Sequence, residues 1–112
     1  MDKDALVRGT KPPRTEQVPT SEGPVTVRGL SRYELHLSGK GTEDSGLIEA
    51  RMIQYALIDP AGMTVADVRA WQRRPETAGE MQRVAEMVRD LSGLAEGAGK
   101  SALSGDGGGP VD

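Results

Sequence analysis

The stretch Thr77 to Ser101 constrains this chain more than any other, because it commits to a helix and then stops it. Met81, Val84, Ala85, Val88 and Leu91 fall at i, i+3, i+4, i+7 and i+10, which is one face of an α-helix. Thr77 and Glu80 have capping-box spacing, in which a threonine oxygen and a glutamate carboxylate satisfy the orphan amides of a helix start. Ser92-Gly93-Leu94 supplies a glycine stop followed by an apolar residue that folds back on the last turn. A helix of this kind presents a surface. It points to a protein whose work is to be bound.

The same start chemistry recurs upstream. Ser31 and Glu34 make a second capping box, with Leu30 placed to staple onto Leu35, and a short helix follows as far as Ser38-Gly39-Lys40-Gly41. A longer helix is predicted from about Ser45 to Ile58, ending at Asp59-Pro60 because the residue before proline disfavours helical geometry. Its apolar residues Leu47, Ile48, Ala50, Met52, Ile53, Tyr55, Ala56 and Leu57 run nearly all round, which places it at the centre of the fold. Thr64 opens a further helix, with Asp67 three residues on, Val65, Val68 and Trp71 on one face, and Arg73-Arg74-Pro75 at its end.

Before the helices, Glu16-Gln17-Val18-Pro19 and Val25-Thr26-Val27-Arg28 flank a glycine-bearing connection, which suits a β-hairpin. Pro19 and Pro24 each lack a ladder donor, so the hairpin is short and lies at an edge. Residues 1–14, with Pro12-Pro13, read as a flexible arm. Residues 95–112 hold six glycines and no periodicity and read as a disordered tail. The expected fold is mainly α (α+β), with a small N-terminal β-hairpin followed by about four short helices over residues 15–94.

Composition narrows the function classes. Aromatics are 3% of the chain and phenylalanine is absent, so the core is built from small side chains and stability gained on binding is expected. There is no cysteine, which removes disulfides and thiolate metal sites. The net charge of -3 is spread along the chain rather than gathered into a basic face, against nucleic-acid binding. Leu47 to Ile58 is too short and too charged to cross a bilayer, and the chain does not open like a secretory signal. No membrane role is expected, and the location implied is the cytoplasm.

Candidate chemistry is sparse. His36 is the single histidine and has no cysteine or second histidine for a zinc site, so no metal or other cofactor is expected. Gly97-Ala98-Gly99-Lys100-Ser101 resembles the end of a phosphate-binding loop, but Leu94 stands where its first glycine is needed and a helix precedes it instead of a strand. The last two helices mimic a helix-turn-helix, yet the second carries Glu80, Glu86 and Asp90 against Arg83 and Arg89. Catalysis is not expected. Met52, Tyr55 and Met81 read as core, while Trp71, Met87 and Leu94 are the candidates for contact with a partner. A thin core also leaves self-association open.

Val25-Thr-Val-Arg-Gly-Leu-Ser-Arg-Tyr-Glu34, then Ala56-Leu-Ile-Asp-Pro60, then Met63-Thr-Val-Ala-Asp-Val68, then Leu91-Ser-Gly-Leu-Ala-Glu-Gly-Ala-Gly-Lys-Ser101 follow one another in a fixed order. In that order they resemble the small tail assembly chaperones of long-tailed bacteriophages and prophages. The resemblance implies a protein of the host cytoplasm that binds the tape measure protein, keeps it soluble until the tail tube forms, and is absent from the mature virion. It also implies an extended product made by ribosomal frameshifting, for which Gly107-Gly108-Gly109 is compatible with a guanine-rich slippery site. The alternative from the residues alone is a structural head–tail connector or tail-completion protein retained in the virion.

Overall fold

In a computed structural model of the protein, residues 1–94 are described, and the tail expected over 95–112 lies outside them. The hairpin forms. Strand β1 (Thr15–Val18) pairs antiparallel with β2 (Val25–Arg28), with Thr15 opposite Arg28 and Val18 opposite Val25. Pro19 and Pro24 flank the ladder without interrupting it. The turn between them closes by reciprocal bonds, Thr20 N to Gly23 O and Gly23 N to Thr20 O, each 3.1 Å. Gly23 has a φ of 116°, a conformation that suits glycine.

Among the described residues five helices accompany the sheet: α1 (Lys3–Arg8), α2 (Arg32–Gly39), α3 (Ser45–Ala56), α4 (Val65–Gln72) and α5 (Ala78–Leu91). The first lies within the expected arm. It starts on Asp2, whose Oδ1 accepts from the Asp4 amide at 3.2 Å, and buries no residue. The capping boxes at Ser31–Glu34 and Thr64–Asp67 are both made in full. Asp44 caps α3 by accepting from the amides of Gly46 and Leu47 at 2.9 and 3.3 Å.

Two local expectations are corrected. The helix read through Ile58 ends at Ala56, and Leu57–Asp59 forms a third strand, β3, against the free side of β2. The sheet order is β1-β2-β3, so the hairpin keeps its place at an edge through β1 while β2 becomes the central strand. Leu57 still donates its amide to Ile53 O, but its backbone is already extended, with φ -70° and ψ 121°. Pro60 disfavours a further helical turn, and the unpaired edge of β2 takes up the chain instead. The second correction is at α5, where Thr77 makes no capping bond with its side chain.

The core lies where α5 crosses β1, β2 and α3. Val18, Val25, Val27 and Leu30 meet Ile53 and Ala50 of α3, Val68 of α4, and Met81, Val84 and Val88 of α5. The central helix α3 packs against α2, α4, α5 and β2, as its all-round apolar pattern implies.

The end of α5 is pinned to the loop leaving β2. Gly29 lies so close to the backbone of Leu91 and Ser92 that there is no room for a Cβ. Ser92 Oγ donates to Val88 O at 2.6 Å and accepts from the Leu30 amide at 2.8 Å. Beyond it the chain closes as a Schellman motif, with Leu94 N on Arg89 O (2.8 Å), Gly93 N on Asp90 O (3.1 Å), and Gly93 at φ 80°. Among the described residues no helix is long and apolar enough to cross a membrane.

Candidate partner-binding surface

Thr77 and Glu80 hold the local architecture of one apolar recess, each in a role other than capping. The Thr77 hydroxyl, almost wholly buried, is shared between the carbonyls of Trp71 (3.1 Å) and Arg74 (3.0 Å), tying the α4–α5 turn shut. That turn is tight enough to hold Glu76 at φ 71°, unusual for a residue with a side chain. Glu80 is 6% exposed, and its two oxygens take different donors. Trp71 Nε1 donates to Oε2 and the Ser21 amide to Oε1, both at 2.9 Å.

One carboxylate therefore joins the hairpin turn, the end of α4 and the start of α5. The Trp71 N–H, then the Ser21 amide, hold its pKa below the ordinary glutamate value against the opposing cost of desolvation. With both oxygens occupied by N–H donors, Glu80 is a strut rather than a proton carrier.

These contacts form one side of a recess of about 160 Å³. Val25, Leu57, Pro60, Met63 and Trp71 line it with apolar surface, and Thr20, Glu22 and Arg74 stand at its rim. Glu22 and Arg74 approach to 3.5 Å as an exposed ion pair, a contact of small energetic weight. The indole is fixed through its N–H and offers carbon surface to the opening. A recess of this size and lining has room for a single apolar side chain.

The three candidate contact residues do not converge. Trp71 lines this recess. Met87, half-buried, lines a second one between α5 and β1 of about 250 Å³. Leu94, 49% exposed, stands beyond the Schellman turn. A third concavity of about 390 Å³ runs between α3, α4 and α5, past Glu49, Gln72, Met81, Ala85 and Arg89. Sequence reasoning did not single it out, although Ala78, Met81, Gln82, Ala85 and Arg89 follow helical spacing along its α5 wall.

His36 is exposed in the last turn of α2, and among the described residues no group of three or more potential metal ligands occurs. The loop-like sequence at Gly97–Ser101 lies outside the described residues. Compared with protein-family models, curated proteins and solved structures, the chain matches none.

Proposed function

We propose that this protein is a tail assembly chaperone of a long-tailed bacteriophage or prophage, which binds the tape measure protein and keeps it soluble during tail morphogenesis without catalysing a reaction. One observation carries the reading. Three of the four separated stretches that resemble this family each contribute to the wall of the same recess: Val25 from the first, Leu57 and Pro60 from the second, Met63 from the third. Pairing of β2 with β3 brings the first two together, and the recess leaves their apolar side chains beside Met63 and Trp71 at one opening.

The chemistry suits the partner. A long tail-length protein exposes repeated amphipathic helices before the tube encloses it. An apolar recess beside a fixed indole takes one anchor residue from such a helix, the helix-in-groove mode of recognition. Binding at one small recess is weak, and many copies along one chain gain by avidity.

The test is co-expression with the tape measure protein encoded in the same genome, followed by pull-down and a solubility assay. Co-purification of soluble tape measure protein, lost in Met63→Asp, supports the reading. An insoluble partner and no co-purification overturn it. The chain appearing at ring stoichiometry in mass spectra of purified virions establishes the connector or tail-completion role instead.

A further inference from the structure

Half of the exposed large apolar side chains among the described residues lie in the first seven positions: Met1, Leu6 and Val7, against Tyr33, Ile58 and Leu94 elsewhere. Leu6 and Val7 belong to α1, and each is more than 70% exposed. A helix of six residues is far shorter than one that sustains itself in water, so α1 needs a surface to pack on. Its own body does not provide that surface, since no α1 residue is buried. Pro12-Pro13, between α1 and β1, stiffens the connection into an extended segment that carries the arm outward.

Charge identifies where such an arm fits. Residues 1–14 carry four basic side chains (Lys3, Arg8, Lys11, Arg14) against two acidic ones (Asp2, Asp4). Residues 15–94 carry the opposite balance, nine basic against twelve acidic. The Trp71 recess has two carboxylates to one arginine, but Glu22 is paired with Arg74 and Glu80 is bonded to Trp71 and Ser21. The recess between α5 and β1 has the same balance with no ion pair among the described residues. Met87, Val18 and Pro19 give it an apolar lining, and Glu86 and Asp90 face Arg83 as its only lining cation. It lies beside β1, whose outer edge has no strand partner among the described residues.

We propose that this recess receives the N-terminal arm of a second copy of the chain. Leu6 and Val7 seat on Met87 and Pro19, above the buried Val18, while Lys3 and Arg8 face Asp90 and Glu86. Arm and recess occur on every copy, so the exchange is reciprocal about a two-fold axis. The arm leaves from the start of β1, whereas the recess involves its end at Gln17, Val18 and Pro19. Two copies meeting with β1 antiparallel to β1 therefore carry each arm to the other's recess. The inference is independent of what the Trp71 recess binds.

The absence of cysteine makes the test direct. Leu6→Cys and Met87→Cys are prepared separately, mixed, and mildly oxidised. A mixed disulfide forming in preference to either homodimer is expected, and its absence overturns the proposal. The double variant, oxidised when dilute, overturns it if the bridge closes within one chain.

Sedimentation velocity of the unmodified full chain is expected to show a concentration-dependent dimer. Leu6→Glu, which lies outside the folded body, is expected to abolish it while leaving the circular dichroism melt unchanged at concentrations where the unmodified chain is monomeric. Asp90→Lys is expected to weaken association about tenfold, with recovery when it is mixed with Arg8→Glu, and added salt is expected to weaken the unmodified dimer. A chain monomeric at all concentrations, or a dimer indifferent to Leu6→Glu, overturns the proposal.

Discussion

Glu80 shows how one side chain can be read correctly for polarity and wrongly for partner. Its spacing from Thr77 matches the capping boxes that Ser31–Glu34 and Thr64–Asp67 make in full. Here the carboxylate instead takes the amide of Ser21, 59 residues away, and the indole of Trp71. Nothing local marks that choice, because the competing donors arrive only when the hairpin turn and α4 pack against α5. Removing the carboxylate takes the acceptor from two N–H donors at a part-buried junction. Glu80→Ala is expected to cost about 1–3 kcal/mol, measured as a shift in the urea midpoint. Glu80→Gln is expected to recover only part of that loss, because its amide NH2 faces one of the two donors.

Glu34 gives a second prediction at the same scale. Arg28 holds it with two bonds, Nη1 to Oε1 at 3.0 Å and Nη2 to Oε2 at 2.7 Å, and the Ser31 amide adds a third. These bonds, the Arg28 pair first, lower its pKa from 4.5 to about 2. Because the folded value is the depressed one, the stability it contributes is present above about pH 4.5 and is lost as the pH falls toward 2. Partial exposure limits the effect to about 1–2 kcal/mol. In acid titrations followed by chemical denaturation, the gap between the unmodified chain and Glu34→Gln is expected to be widest above pH 5 and to close toward pH 2.

At the scale of elements, what was legible was what local chemistry decides. The two full capping boxes, the glycine end of α5 and the turn between Pro19 and Pro24 depend on neighbours in sequence, and all stand where the residues put them. The third strand was not legible, because Leu57 and Ile58 continue the apolar pattern of α3 without a break. Their pairing with β2 is a long-range event. The meeting of α5 with the loop at Gly29 was hidden for the same reason.

Two glycines separate these cases by experiment. A methyl at Gly29 runs into the backbone of Leu91 and Ser92, which cannot step aside as a flexible side chain does. Gly29→Ala is expected to destabilise by about 1–3 kcal/mol. Gly93 has open space around it, and Gly93→Ala costs only the left-handed backbone, about 1–2 kcal/mol. Adding Ser92→Ala discriminates between them. It removes the bond to Leu30 at the crossing, so its cost is expected to be non-additive with Gly29→Ala, and thermal melts of single and double variants measure the coupling.

Across the whole molecule, side-chain size is distributed in an unusual way. The largest fully buried side chains are Ile53, Val27, Val68, Val84 and Val88, with Ser38 next, while Trp71, Tyr55, Met52, Met63 and Met87 are only partly buried around them. Small branched residues hold the fold together. Met81 and Leu30 apart, the larger side chains are only partly covered, and methionine in particular reshapes to fit what it meets. Although Val25 serves both core and recess, the proposed partner binding and folding are expected to separate under mutation at Met63 and Ile53. Ile53→Ala opens a void in the close-packed centre and is expected to cost about 2–5 kcal/mol. Met63→Ser removes apolar surface from the wall of the Trp71 recess and is expected to cost less than about 1 kcal/mol, because that side chain is not fully enclosed. The same Met63→Ser is expected to lower co-purification of the tape measure protein severalfold. The single tryptophan of the chain, Trp71, reports the event directly, since closing the recess moves its emission to shorter wavelength in the unmodified chain and less so in Met63→Ser. If stability and capture instead fell together in Met63→Ser, the recess would belong to the core and not to the surface that meets a partner.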